Sequence, residues 1–116
     1  MKNDIRRTVL IIDDELAVLN SLKRTLRRNY NIILCQDGFS AIQILHEQEI
    51  QVILADQRMP EMNGITLLSK AMEIQPDATR ILITGYSDIH AVIDAINEGK
   101  VYHYIHKPWE PEDVSL

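Results

Sequence analysis

Four places in this chain of 116 residues put a polar, chemically capable side chain directly behind a short apolar run. Asp13, Asp14 and Glu15 follow the run 9–12, Asp56 follows 52–55, Thr84 closes 81–84, and Lys107 stands just beyond 101–105. Carboxylates held close together repel one another and raise each other's pKa values unless a cation sits among them. All-oxygen ligation with few protein donors suits Mg²⁺, which keeps several waters and takes phosphate oxygens readily. Lys107 adds a point positive charge and Thr84 a hydroxyl donor, the two things a transferring phosphoryl group needs besides the metal. A carboxylate can itself be the nucleophile by forming an acyl phosphate. Asp56 stands alone behind its run, whereas Asp13 and Asp14 are adjacent, which favours Asp56 as acceptor and the pair as metal ligands.

These residues can meet only if the apolar runs are strands that end on one edge of a sheet. Five runs rich in β-branched residues recur, at 9–12, 32–35, 52–55, 81–84 and 101–105. Several are continuously apolar, as in parallel strands covered on both faces. Helix-period segments lie between them. The first spans 15–28, with Val18, Leu19, Leu22 and Leu26 on one face and Lys23, Arg24, Arg27 and Arg28 in its last turns. Asp37 is placed to cap a second over 39–48, with Ala41, Ile44 and Leu45 inward. A third, 65–74, carries Leu68, Ala71 and Met72 and stops at Gln75-Pro76. Asp88 is placed to cap a fourth with Ile89, Val92, Ile93 and Ile96 inward and Gly99 as a left-handed stop. The alternation predicts right-handed crossovers and a doubly wound parallel α/β sheet. After Pro108 and Trp109, residues 110–116 read as the first turns of a fifth helix that is cut short. Open sheets of this kind bind ligands outside the carboxyl ends of their strands. If the first and third strands are neighbours, Asp13, Asp14 and Asp56 converge there.

Composition sets the remaining bounds. With 46% hydrophobic and 25% charged residues, the chain reads as one globular domain. A net charge of -5 gives no general pull toward nucleic acid or anionic lipid. The lone Cys35 excludes an internal disulfide and a Cys-x-x-Cys site, and is expected as buried filler in the second strand of a cytoplasmic protein. The run 9–12 is too short for a signal sequence or a membrane span. His46, His90, His103 and His106 share no ligand spacing and are expected at the surface.

Taken together, Ile11-Ile12-Asp13-Asp14-Glu15, Asp56 with Met59-Pro60 and Gly64, Thr84-Gly85, and Lys107-Pro108 resemble the CheY-like receiver domain of two-component response regulators. The resemblance covers nearly the whole chain and implies a five-stranded flavodoxin-like sheet of order 2-1-3-4-5. It implies that Asp56 accepts phosphoryl from a phosphohistidine on a sensor histidine kinase or phosphotransfer protein. Mg²⁺ would be held by Asp13, Asp14, Asp56 and the backbone carbonyl of Arg58. Lys107 would hold the phosphoryl oxygens, Thr84 would move to hydrogen-bond to them, and Tyr104 would turn inward as Thr84 moves. Helix four, strand five and helix five would form the readout face and a surface for a homodimer. Lys107-Pro108 would be a cis peptide.

Arg58 and Tyr86 each lie two positions past a site residue, at the lip of the pocket, where they would tune the phosphoryl lifetime. Lys100-Val101 departs from the small residue that many receivers carry after the helix-four glycine. The resemblance also makes residues 1–116 the N-terminal part of a longer regulator with a C-terminal output domain. A short fifth helix leaves a sheet face to be covered, most simply by a second copy.

Three other readings compete. An aspartate-nucleophile phosphohydrolase wants Asp-x-Asp after the first strand and a cap over the site, and here the pair is contiguous and the chain short. A flavodoxin-like cofactor protein wants a Ser/Thr/Gly-rich phosphate loop where Asp13-Asp14-Glu15 stands. A phosphorylation-independent pseudo-receiver that only binds a partner usually lacks one of the acidic, threonine or lysine positions, all of which this chain keeps.

Overall fold

The β-branched and aliphatic runs become five strands: β1 Thr8–Ile12, β2 Asn31–Cys35, β3 Val52–Asp56, β4 Thr79–Thr84 and β5 His103–His106. Between them lie α1 Leu16–Leu26, α2 Gly38–Glu47, α3 Gly64–Ile74 and α4 Ile89–Asn97, and a short 3₁₀ turn, Pro111–Val114, follows β5. The structure, a computed structural model, describes residues 6–85, 88–107 and 109–114. All strand pairs are parallel, in the order β2-β1-β3-β4-β5. This is the flavodoxin-like order that the motifs imply.

Continuous apolarity in the strands follows from cover on both faces. Successive side chains of a strand point to opposite faces, so β1 feeds two cores. Val9 and Ile11 pack with Leu19, Leu22 and Leu26 of α1 and with Val114 of the 3₁₀ turn. Leu10 and Ile12 pack on the other face with Leu45, Leu67, Leu68 and Val92 from α2, α3 and α4. Trp109 lies against the α1 side, and Cys35 is buried in β2 on the other. Every residue of β3 is buried.

Two helices start at side-chain caps, that of Asp37 expected from the sequence and that of Asn63 shown by the structure. Asp37 accepts a hydrogen bond from the Ser40 amide at 2.7 Å, and Asn63 accepts one from the Thr66 amide at 2.9 Å. Gly99, with φ +76°, supplies the left-handed stop after α4. Elsewhere the structure corrects the sequence reading. Asp88 occupies the capping position of α4, but its side chain makes no capping bond. Ile93 is 45% exposed, because the buried stripe of α4 runs through Val92 and Ala95 and leaves Ile93 about 100° around the helix. In α3 Leu67 is fully buried while Met72 is only half-buried. Val101 is buried ahead of β5, which begins at His103. The described start of the expected fifth helix is the 3₁₀ turn, with Val114 buried. His106 is half-buried instead of exposed.

Candidate functional site

The strand order does the first work at the site. Ile12 pairs with Ala55 and Asp56 with Ile83, so the carboxyl ends of β1, β3 and β4 lie side by side. Thr84 pairs with His106, and the Lys107 amide donates to the Thr84 carbonyl at 2.8 Å. Asp13, Asp56 and Thr84 are therefore all buried at one edge of the sheet.

Lys107 Nζ lies 2.5 Å from Asp56 Oδ1. Burial pushes the Asp56 pKa up while the hydrogen bond and charge of Lys107 oppose it. Burial lowers the Lys107 pKa, and the hydrogen bond and charge of Asp56 with the charges of Asp13 and Glu15 together outweigh it, so the ammonium ends above its ordinary value. Among the described residues no cation is in contact with Asp13. Its Oδ1 accepts from the Glu15 amide at 2.8 Å, and its buried Oδ2 has no hydrogen-bond partner. Burial pushes its pKa up to about 6, with the Glu15 amide opposing and the charge of Asp56 adding to the rise.

A divalent cation fits this donor set. Carboxylate oxygens of Asp13, Asp14 and Glu15 lie within 4.8 Å of one another, and the partnerless Asp13 Oδ2 is a buried acceptor without a donor. The donors are all hard oxygens, as Mg²⁺ or Ca²⁺ requires. Asp56 stands outside that group, its carboxylate paired with Lys107.

Asp56, Gln57, Arg58, Thr84, Gly85, Asp88 and Lys107 line a pocket of about 160 Å³. Thr84 points its hydroxyl at the Gly85 carbonyl, 3.2 Å away. Arg58, its side chain 71% exposed, reaches across to Asp88 with Nε 3.1 Å from Oδ2. Tyr104 is half-buried on β5, its ring 6.5 Å from that of His106 and packed against the core on the α2, α3 and α4 side. Tyr86 and Pro108, and with them the cis peptide, lie outside the described residues.

Sequence reasoning missed two residues of this site. Gln57 is buried and clamps the loop after β3: its side chain accepts from the Ile65 amide at 2.9 Å and its carbonyl from the Gly64 amide at 3.1 Å. Only its place next to Asp56 hinted at this. Asp88 was read as a cap, and its pairing across two loops has no signature in spacing. Gly64 matters for contact, since a Cβ there would lie 2.5 Å from the Asp56 carbonyl oxygen and 2.6 Å from Leu82.

A parallel sheet of this order with acidic, threonine and lysine side chains at one edge defines a doubly wound α/β domain whose polar site lies at the carboxyl ends of its strands. The family model of the response regulator receiver domain matches residues 9–115, and this chain belongs to that family. It is 36% identical over 110 residues to the hydrogenase transcriptional regulatory protein HoxA of Bradyrhizobium diazoefficiens, covering 95% of this chain and 23% of HoxA. The chain thus spans about a quarter of the length of the curated relatives it matches. A crystal structure from Neptuniibacter caesariensis is 43% identical with a TM-score of 0.90, covering 93% of this chain and 81% of that one. A response regulator of Burkholderia pseudomallei, crystallised with a phosphorylated aspartic acid, calcium ion and citrate, is 27% identical with a TM-score of 0.83. That match covers 93% of this chain and 64% of that one. The chain is a two-component signalling module, and among the described residues no helix is long and apolar enough to cross a membrane.

Proposed function

We propose that Asp56 is the phosphoacceptor of this receiver domain and that the phosphoryl donor is a phosphohistidine on a sensor histidine kinase or phosphotransfer protein. The observation that carries the reading is the buried Asp56 carboxylate at the floor of a small pocket, one oxygen on Lys107 and Thr84 alongside. Lys107 opposes the rise that burial gives the Asp56 pKa, and its ammonium favours the carboxylate whose oxygen carries the attacking lone pair. That oxygen attacks the phosphorus, the phosphorus–nitrogen bond to the donor imidazole breaks, and the imidazole leaves with the bonding pair. Lys107 then moves from carboxylate to phosphoryl oxygen, and the Thr84 hydroxyl turns from the Gly85 carbonyl to another. Asp13 and Asp14, with Asp56 and the Arg58 carbonyl, would hold Mg²⁺. A bound Mg²⁺ supplies positive charge to the transferring phosphoryl oxygens.

Thr84 and Tyr104 are assigned the switch, and Arg58 and Tyr86 the lifetime of the acyl phosphate. The partial cover of longer relatives supports an N-terminal receiver joined to a C-terminal output domain, in the cytoplasm where the kinase presents its phosphohistidine. The α4 and β5 face, with any fifth helix, is the surface for that domain or for a second copy.

The test is phosphoryl uptake from a small acyl-phosphate donor, read by intact mass, for the wild type and Asp56→Asn with Mg²⁺ and with chelator. One added phosphoryl group on the wild type, absent from the mutant and from the chelated sample, is expected. Equal uptake by Asp56→Asn overturns the assignment, and no uptake by a folded wild type makes the domain a phosphorylation-independent binding module.

A further inference from the structure

The helix N-termini of this chain are not treated alike. Asp37 before α2 and Asn63 before α3 each accept a hydrogen bond from the third residue of their helix, Ser40 and Thr66. Asp88 holds the same position before α4, with backbone φ −106° and ψ 9°, and gives its helix no such bond. Its carboxylate, 16% exposed, accepts two from Arg58 instead, Nε to Oδ2 at 3.1 Å and Nη2 to Oδ1 at 3.3 Å. This is the fork by which a guanidinium grips a carboxylate or a phosphate. The two partners come from different loops, one after β3 and one after β4, and both line the pocket that holds Asp56.

A phosphoryl group on Asp56 would change the contest for Arg58. In the unmodified site Asp56 is a single carboxylate already matched by Lys107. Phosphorylation brings about two negative charges and three acceptor oxygens within reach of the same loop. Guanidinium forks suit phosphate as well as carboxylate. Once Arg58 turns inward, the Asp88 carboxylate is left beside the positive end of α4, where an anion is stabilised. The amide it would accept from there is that of Ala91, the counterpart by position of Ser40 in α2 and Thr66 in α3.

Resting on the reading of Asp56 as phosphoacceptor, we propose that Asp88 is a positioning residue that exchanges partners. It holds Arg58 at the pocket mouth in the unmodified domain and caps α4 when Asp56 carries phosphoryl. The pocket is thereby coupled to the first turn of α4 by one carboxylate.

Hydrogen exchange of the amides of residues 89–92, followed by mass spectrometry on the full chain with and without acyl-phosphate donor and Mg²⁺, tests this, with intact mass read in parallel. In the wild type, exchange is expected to slow about fivefold on phosphorylation, the size of a typical capping effect. Arg58→Ala, which releases Asp88, should show the slow rate before any donor is added. Asp88→Asn, which can cap but holds a guanidinium weakly, should be slow in both states, and Asp88→Ala fast in both. Full phosphoryl uptake with unchanged exchange in the wild type overturns the proposal, as does a wild-type rate in unmodified Arg58→Ala. If the wild type takes up no phosphoryl, the phosphoacceptor reading and the trigger fall together. Unmodified Arg58→Ala then separates that failure from a failure of the partner exchange itself.

Discussion

Asp13 bears the least compensated charge of the site: Oδ1 is satisfied by the Glu15 amide, Oδ2 by nothing, and its pKa is pushed from 3.8 up to about 6 by burial first. A raised carboxylate pKa means that the folded state binds the proton more tightly than the unfolded state does. Between pH 3.8 and about 6, folding therefore loses stability as pH rises, and above that window the full penalty is present. At 1.36 kcal/mol per unit, the penalty reaches up to about 3 kcal/mol. Two outcomes are expected in thermal denaturation. Without divalent cation, Asp13→Asn is more stable than the wild type at pH 7.5, and the difference shrinks on acidification through 6. Mg²⁺ raises the wild-type melting temperature at pH 7.5 and loses this effect as pH falls through 6, because protons compete for the same oxygens. A Mg²⁺ effect of constant size from pH 5 to 7.5 would exclude Asp13 as a ligand. The acidic residues themselves were visible in sequence as residues closing apolar runs. Which of them has Lys107 in contact, and which has an oxygen left over, depends on strand neighbours and could not be read from spacing.

At the scale of elements, α3 shows how closely a helix is fitted to the site. Gly64 opens it directly over the Asp56 backbone, and a Cβ there would meet a carbonyl oxygen, which cannot swing aside as a side chain can. Gly64→Ala is expected to destabilise the domain by about 1–3 kcal/mol and to slow phosphoryl uptake by displacing the loop after β3. Urea unfolding and the uptake assay check the two effects, and wild-type behaviour in both would remove Gly64 from the site's support. At the other end of α3, the Gln75 side chain donates at 2.7 Å to the carbonyls of Leu45 and Gln48 and accepts from the Ile50 amide at 2.9 Å. It closes the end of α2 and the entry to β3 in one residue. Gln75→Ala should cost about 1–3 kcal/mol in the same unfolding experiment, since buried backbone groups lose their partners. Element types were legible because strand runs and helix periods differ clearly in α1, α2 and α3. In α4 the apolar arc is broad, and packing uses its Val92 and Ala95 side, so Ile93 at the far edge came out exposed.

For the whole molecule, two cores share one sheet, and cover on the α1 face extends to the last described residues. Val114 is fully buried against the cluster that contains Leu19, Leu22 and Ile105. Val114→Asp is therefore expected to lower stability by several kcal/mol, as an unpaired charge in an apolar core does, and Val114→Ala by about 1–2 kcal/mol. An unchanged melting temperature in both variants would show that the 3₁₀ turn contributes nothing to the α1 face. The same cores explain why the site edge can be polar at all. Asp13, Asp56 and Thr84 are buried at the rim of strands whose interiors are apolar on both faces, so their backbones are held by sheet hydrogen bonds while Asp56 and Thr84 line the pocket.

Residue order alone determined the alternation of strands and helices, the apolar faces of three helices, the cap at Asp37, and the placement of Asp13, Asp14, Asp56, Thr84 and Lys107 at strand ends. These are local properties, carried by periods of two and 3.6 and by turn chemistry over a few residues. Tertiary structure decided what depends on neighbours distant in sequence: the pairing of β1 with β3, the ion pair of Lys107 with Asp56, the partnerless oxygen of Asp13, the clamp of Gln57 on α3 and the diversion of Asp88 from its helix to Arg58. A carboxylate's partner is chosen by which donors the packed chain brings within about 3 Å, and no spacing along the sequence contains that choice.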